Sequence, residues 1–326
     1  MSSWTAAEIP DQSGRVALVT GATSGLGLVT ATELARHGAR VLVGSRNPEK
    51  GAAALATVRA AAGGPEPELL SLDLADLASV RSAATEVRER LGDRLDLLIN
   101  NAGLMAPPLR LTVDGFESQW ATNHLGHAAL TWLLYPALTS GDGSRVVTVS
   151  SLAHRQGRID PVGLDAASRG VGYSPWSAYG RSKLANLLFA HELHRRLRID
   201  GSRTLSLAAH PGLSSTGLVP AMMASAPWIA RTVSETATKI FGQSAARGAL
   251  PQLYAATAPD VVGGRYYGPD GIGQARGGPT VVQPSHPAQD EQLSTAVWAL
   301  TAEQTGVEAM PGRGHPSGPT DHVAHG

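Results

Sequence analysis

Residues 16–20 form a short apolar run that leads straight into three glycines, Gly21, Gly25 and Gly27. Residues 28–37 then read as a helix, stopped by Gly38. An unbroken apolar run of this length fits a strand buried on both faces of a parallel sheet. Strand, glycine turn and helix in that order give a glycine motif its meaning. The glycines let the backbone turn sharply and approach a pyrophosphate, which rests on the amides and positive end of the helix. Gly21, Thr23, Ser24, Gly25, Leu26 and Gly27 are the residues that would meet it. The spacing is Gly-x-x-x-Gly-x-Gly, not the commoner Gly-x-Gly-x-x-Gly. A glycine-rich loop without a ligand is the alternative, and the flanking elements weigh against it.

The same alternation continues down the chain. A second strand over residues 40–44 ends at Ser45 and Arg46. In dinucleotide folds this strand end faces the adenosine ribose, where an acid would bind the free 2′-hydroxyl of NAD. A guanidinium there offers charge and a fork of donors to a phosphate. Ser45 and Arg46 therefore argue for NADP, against the plainer reading of a solvated loop arginine. Lys50 could assist Arg46, but a surface position on the helix over residues 48–62 is the plainer reading. Asp73 and Leu74 follow a third strand (residues 68–72), where a carboxylate and an amide can meet an adenine. Asp73 or Asp76 is equally natural as the cap of a helix over residues 77–91. A fourth strand (residues 95–99) leads into Asn100, Asn101, Ala102 and Gly103. Small residues here let the chain lie close to a flat ligand, and Asn100 reads as mainly structural and near the cofactor.

A long helix is expected over residues 114–138, with a polar cluster Asn123, His124 and His127 in its apolar stretch. No further acid or His at metal-ligand spacing accompanies the histidines, so they read as surface or core residues. A fifth strand (residues 145–149) ends at Ser150 and Ser151, where open α/β sheets bind ligands. No Gly-x-Ser-x-Gly elbow surrounds Ser151, which argues against a hydrolase nucleophile. Residues 153–177 are irregular. Strands over residues 203–209 and 263–268 follow, the first leading into Pro211, Gly212 and Thr216. Met222, Met223 and Trp228 suit an apolar substrate lid at about residues 214–240, or ordinary core packing.

Tyr179 and Lys183 sit four apart in a helix over residues 177–198, so their side chains share a face. A cation beside a phenol favours the phenolate and is expected to pull the tyrosine below its usual pKa of about 10. A phenol tuned in that way exchanges a proton with a substrate oxygen near neutral pH.

Taken together, the glycine turn, Asn100 to Gly103, Asn123, Ser151, Tyr179 with Lys183, and Pro211-Gly212 resemble the short-chain dehydrogenase/reductase family across roughly residues 14–270. The stretches 45–50, 149–154, 182–186 and 268–271, and the Trp298 to Gly306 ending, are similar to its retinol dehydrogenase and protochlorophyllide reductase branch. The resemblance implies that Tyr179 is the acid/base, Ser151 bonds the substrate oxygen, and Lys183 holds the nicotinamide ribose. It also implies that Asn123 positions a water, and it completes the cofactor contacts with Pro211, Gly212 and Thr216. The fold expected is α/β: a Rossmann-type, doubly wound, parallel seven-stranded sheet in three α/β/α layers, of order 3-2-1-4-5-6-7. Residues 14–305 would form one domain, after an extension (residues 1–13) and before a tail (residues 306–326). The segment between Ser151 and Tyr179 is longer than in most family members. In the family the helices 114–138 and 177–198 commonly pair between subunits, which suggests a homodimer or homotetramer.

Composition bounds the partners. Lys plus Arg equals Asp plus Glu at 27 each, so no net field attracts nucleic acid or an anionic membrane. The 326 residues include no cysteine, which excludes disulfides and thiolate chemistry. No signal region or apolar run near the ~20 residues of a spanning helix is present, so a soluble cytoplasmic protein is expected. The function expected is NADP(H)-dependent hydride transfer to or from a mostly apolar carbonyl or alcohol, with no metal. The alternatives are a non-redox enzyme of the same fold with bound nucleotide, and a non-catalytic NADP-binding regulator.

Overall fold

The computed structural model describes residues 4–140, 143–213 and 243–310. Thr216, the lid at residues 214–240 and residues 311–326 of the tail lie outside them.

The first half is a strict alternation: β1 (Val16–Thr20), α1 (Gly25–Arg36), β2 (Arg40–Ser45), α2 (Pro48–Ala61), β3 (Glu68–Ser71), α3 (Leu77–Leu91) and β4 (Leu97–Asn100). Then come α4 (Ser118–Trp120), a π-helical turn (Ala121–Leu125), α5 (Gly126–Leu133), α6 (Tyr135–Thr139) and β5 (Arg145–Val149). After the short α7 (Leu164–Ser168) run the long α8 (Pro175–Ile199), β6 (Leu205–Ala209), α9 (Ala245–Gly248) and α10 (Leu250–Thr257). β7 (Tyr266–Pro269), β8 (Pro279–Val281) and α11 (Glu291–Thr305) close the chain. One sheet of order β3-β2-β1-β4-β5-β6-β7-β8 carries everything, and its first seven strands are parallel. Seven strands in that order are what the sequence predicts. The eighth is an antiparallel edge strand pairing Tyr267 with Val281. Three residues opening on proline give no alternation to read, and proline is tolerated there because the strand is an edge.

Strand geometry splits the core into two layers, because successive side chains leave opposite faces of the sheet. Leu18, Leu42, Leu70, Leu98 and Val146 pack under α3, α5, α8 and α11. Ala17, Val19, Val41, Val43, Leu97, Ile99 and Val147 pack under α1, α2 and α10. Every central strand is therefore apolar at consecutive positions.

The predicted helix 114–138 starts later and is broken. Asp114 and Gly115 form a turn, and the Asp114 carboxylate caps α3 by accepting from Leu77 N–H at 3.0 Å. The residue that caps α4 is Glu117, accepting from Gln119 and Trp120. The π-turn comes next, centred on Asn123, and no sequence periodicity announces it.

α11 lies across α5 and α8. Trp298 packs edge-on to Trp132 of α5 at 4.9 Å and stacks on Phe189 of α8 at 5.3 Å. The Arg196 guanidinium covers its other side at 4.7 Å. Thr301 and Gln304 hydrogen-bond to His124 and Trp120. α11 thus covers the Trp120–Trp132 and Phe189–Arg196 stretches of these helices. Trp298→Ala should cost about 3–5 kcal/mol of stability. Urea unfolding checks this, and a loss under about 1 kcal/mol would deny that Trp298 anchors α11.

Candidate active site

A crevice of about 430 Å³ opens at the carboxyl ends of β1, β2, β3 and β4. Gly21, Thr23, Ser24, Gly25, Leu26 and Gly27 line one wall, and Ser45, Arg46, Asp73, Leu74, Ala102 and Gly103 line the rest. Gly21 turns with φ of +63°, and a Cβ there would lie 2.8 Å from the Ala102 Cα. A Cβ on Gly27 would collide with the Gly21 carbonyl. Larger residues at either position would fill the cradle. Ser24 sits at the N-cap of α1 in extended conformation, but no side chain caps the helix and no acid occupies its first turn. The amides of α1 thus stay open toward the crevice, as an anion requires.

Six lining residues escaped the sequence reading: Gly44, Asn47, Leu72, Asn101, Leu104 and Thr122, the last projecting from the π-turn, while Lys50 stands on the wall beside Arg46. The Thr122 hydroxyl is buried and has no hydrogen-bond partner. Asp73 and Asp76 divide the roles that the sequence left open between them. Asp76 caps α3 through Ala78 and Ser79, while Asp73 accepts from Ala75 N–H and keeps its place on the crevice wall.

Asn100 does not join the wall. Its side chain turns away and donates to the Thr131 hydroxyl at 3.0 Å, while Asn101 lines the crevice and donates to the Thr20 carbonyl at 2.8 Å. Adjacent strand residues face opposite ways, so only one asparagine can reach the ligand side. Thr20 Oγ1 accepts the amides of Asn101 and Ala102 at 2.9 and 3.0 Å. His127 Nδ1 faces the Asn123 carbonyl, which can only accept, so Nδ1 carries the proton and Nε2 is left to accept from Thr20 at 2.8 Å.

At its inner end the crevice meets α8. A Cβ on Gly103 would lie 3.3 Å from Asn123 Oδ1 and 3.4 Å from Lys183 Nζ. The Asn123 side chain is fully engaged, accepting from Leu104 N–H and donating to the Leu104 carbonyl and Ser182 Oγ. Lys183 donates to the Val149 carbonyl at 3.1 Å and lies 5.9 Å from the centroid of the Tyr179 ring. The two serines at the end of β5 part company. Ser150 is buried and donates to the Lys183 carbonyl, whereas Ser151 is half-buried and its hydroxyl accepts from Ala153 N–H at 3.2 Å. Pro211 and Gly212 leave β6 outside the crevice wall, Gly212 donating to His210 Nδ1 and the Pro211 carbonyl accepting from Gln243.

The expected depression of the tyrosine pKa is corrected by this geometry. Burial raises the Tyr179 phenol above its usual range, and the neighbouring Ser151 hydroxyl opposes that only in part. The Lys183 ammonium stands over the ring, not at the hydroxyl, and its own burial lowers it to about 8. Desolvation outweighs the charge that helical spacing seemed to deliver.

Doubly wound sheet, glycine cradle and the buried Tyr179 and Lys183 of α8 at its inner end define a dinucleotide-dependent dehydrogenase class of site. The family model for short chain dehydrogenases matches residues 15–225. The chain is 40% identical over 304 residues to polyprenol dehydrogenase of Mus musculus, covering 91% of this chain and 86% of that one. It is 37% identical to retinol dehydrogenase 13 of Homo sapiens, covering 93% and 88%. Among solved structures, an uncharacterised protein from Mycobacterium paratuberculosis superposes with a TM-score of 0.77 at 46% identity, covering 94% and 99%. The chain belongs to the short-chain dehydrogenase family, in its retinol dehydrogenase-like branch, and is an oxidoreductase. The family uses NAD(P), and the uncapped α1 amides, the cradle that a Cβ would fill and the orphan Thr122 hydroxyl fit such a group. No helix of the described residues is long and apolar enough to cross a membrane.

Burial holds His124 near pKa 4 and His127 and His210 near 3, from an ordinary 6.5. Folded-state values below the unfolded one mean that stability is full above pH 6.5 and falls as the pH drops. The slope approaches about 1.4 kcal/mol per pH unit for each histidine. Urea midpoints between pH 7.5 and 5 should fall accordingly, and a flat profile would contradict the buried neutral rings.

Proposed function

We propose that this chain is an NADP(H)-dependent oxidoreductase that reduces or forms a mostly apolar carbonyl compound, with Tyr179 as its acid/base. The observation that carries the reading is the buried Tyr179 phenol with the Lys183 ammonium 5.9 Å from its ring centroid, on the helix that brings Lys183 Nζ to 3.4 Å from a Cβ on Gly103 at the end of the crevice. Bound NADP(H) supplies or takes the hydride, which no side chain can do. Ser151 and Tyr179 direct two donors at one place, where the negative charge of a developing alkoxide would be stabilised. Because burial keeps the phenol protonated, Tyr179 is ready to deliver its proton to that oxygen, the direction of carbonyl reduction. In reverse the same pair takes the proton of an alcohol. Lys183 holds the ribose side of the cofactor, and Asn123 fixes the Gly103–Leu104 peptide beside it.

The preference for NADP rests on Arg46 and Lys50, two cations on the crevice wall beyond β2 where no carboxylate stands for a free 2′-hydroxyl. A protein of Beutenbergia cavernae described as an NAD(P)-dependent gluconate 5-dehydrogenase, 26% identical with a TM-score of 0.62 over 78% of this chain and 95% of its own, carries NADP at low occupancy. The apolar substrate class follows from relatives named for polyprenol and retinol. Trp176, half exposed and edge-on to Tyr179 at 6.2 Å, supplies an apolar wall on this chain. The cytoplasm is the compartment proposed. Any dimer would have to use a surface other than the one α11 covers.

Tyr179→Phe should lower turnover at least about a thousandfold while NADPH binding stays within about twofold. Retained turnover in that variant rejects the mechanism. Arg46→Ala should raise the KM for NADPH about tenfold and leave that for NADH little changed, since one charge-assisted contact contributes about 1.5–3 kcal/mol. Cofactor titrations with aldehydes and ketones test this, and a parent enzyme that already prefers NADH rejects the NADP assignment.

A further inference from the structure

Behind Ser151 lies a fully buried imidazole that the reaction does not use. His154 belongs to a 3-10 turn, Leu152–Gln156, that starts from Ser151 and is pressed onto α8. A Cβ on Gly180, the residue after Tyr179, would lie 3.0 Å from the Ala153 carbonyl and 3.2 Å from Gly157 N. This contact sets how near the turn approaches α8. It does not fix the rotation of the turn, which decides where the Ser151 hydroxyl points.

Two bonds on one ring can fix that rotation. His154 Nδ1 lies 2.6 Å from the Ser151 carbonyl, and Nε2 lies 3.1 Å from Ser285 N, just beyond β8. A carbonyl only accepts and a peptide N–H only donates. Both partners therefore demand the same neutral tautomer, with the proton on Nδ1 and the lone pair on Nε2. The ring stands edge-on to Tyr266 of β7, at 5.6 Å and 86°. Ser285 is held in turn through Val282, whose amide donates to the Tyr266 carbonyl at 2.8 Å. Nδ1, ring edge and Nε2 thus tie the Ser151 peptide to the β7–β8 edge of the sheet, an anchor independent of α8.

We propose that His154 is a positioning residue for Ser151, its Nδ1–H holding the Ser151 carbonyl and with it the direction of the Ser151 hydroxyl. This rests on the role of Ser151 proposed above. Residues that orient a catalytic group through its backbone act on the chemical step more than on binding.

The full-length protein tests it in three ways. His154→Leu should lower kcat at least about tenfold, with the dissociation constant for NADPH changed less than about twofold. His154→Asn, whose amide nitrogen overlies Nδ1, should recover most of that loss. His154→Gln, whose amide overlies Nε2 instead, should not. On a Ser151→Ala background His154→Leu should cost less than about twofold further, because the group it positions is gone. Full kcat in His154→Leu, or an undiminished further loss on the Ser151→Ala background, overturns the proposal. Should the Leu variant not fold, imidazole 15N resonances of the wild-type protein decide: a proton found on Nε2 of His154 overturns the proposal. Ser151→Ala with wild-type turnover would sink the assigned role of Ser151 itself. An inactive Ser151→Ala beside a fully active His154→Leu would sink this inference alone.

Discussion

One hydroxyl closes the two strands on which the site is built. Thr20 Oγ1 takes the amides of Asn101 and Ala102, and its proton goes to His127. β1 and β4 are thereby locked at their carboxyl ends, where a parallel sheet has no further ladder bonds to offer. The glycine turn can then lie against Ala102 without a side chain between them. Through His127 the lock extends to the Asn123 carbonyl in the π-turn, and through the Asn123 side chain to Leu104 and α8. Cofactor wall and tyrosine helix are two ends of one hydrogen-bonded line.

Burial sets the chemistry at the far end of that line. A phenol and an ammonium on one helical face ought to lower the phenol's pKa if water and distance are ignored. Here both are buried, and each is pushed toward its neutral form. Ser151 is the group that acts against burial at the phenol. Burial therefore favours the protonated form of the Tyr179 phenol.

Pairs of neighbouring residues show how far the sequence could be read. Asn100 and Asn101, Ser150 and Ser151, and Asp73 and Asp76 are each two like residues within a few positions. Their chemistry is legible at once. Which member faces the ligand follows from the face of the strand or the geometry of the turn, and a shift by one residue reverses it. The resemblance names Ser151 over Ser150, and the two make different contacts, Ser150 with the Lys183 carbonyl and Ser151 with Ala153 N–H. For the asparagines, residue type gave no such guide, and Asn101 is the one on the crevice wall. Thr122 was hidden for another reason, since a threonine carries no local signal of facing a cavity.

The sequence by itself determined the strand–helix alternation, the glycine turn and the helix that carries Tyr179 and Lys183, and its family resemblance implied the order of the seven parallel strands. The alternation, the turn and the helix follow from period and turn residues, which are local or nearly so. Tertiary structure alone decided the π-turn at Asn123, the antiparallel β8, the sealing of α5 and α8 by α11, and the sign of the tyrosine's pKa shift. Each of these depends on groups far apart in the chain arriving together and excluding water. No pattern along the chain encodes how much solvent remains around a side chain once the fold has closed.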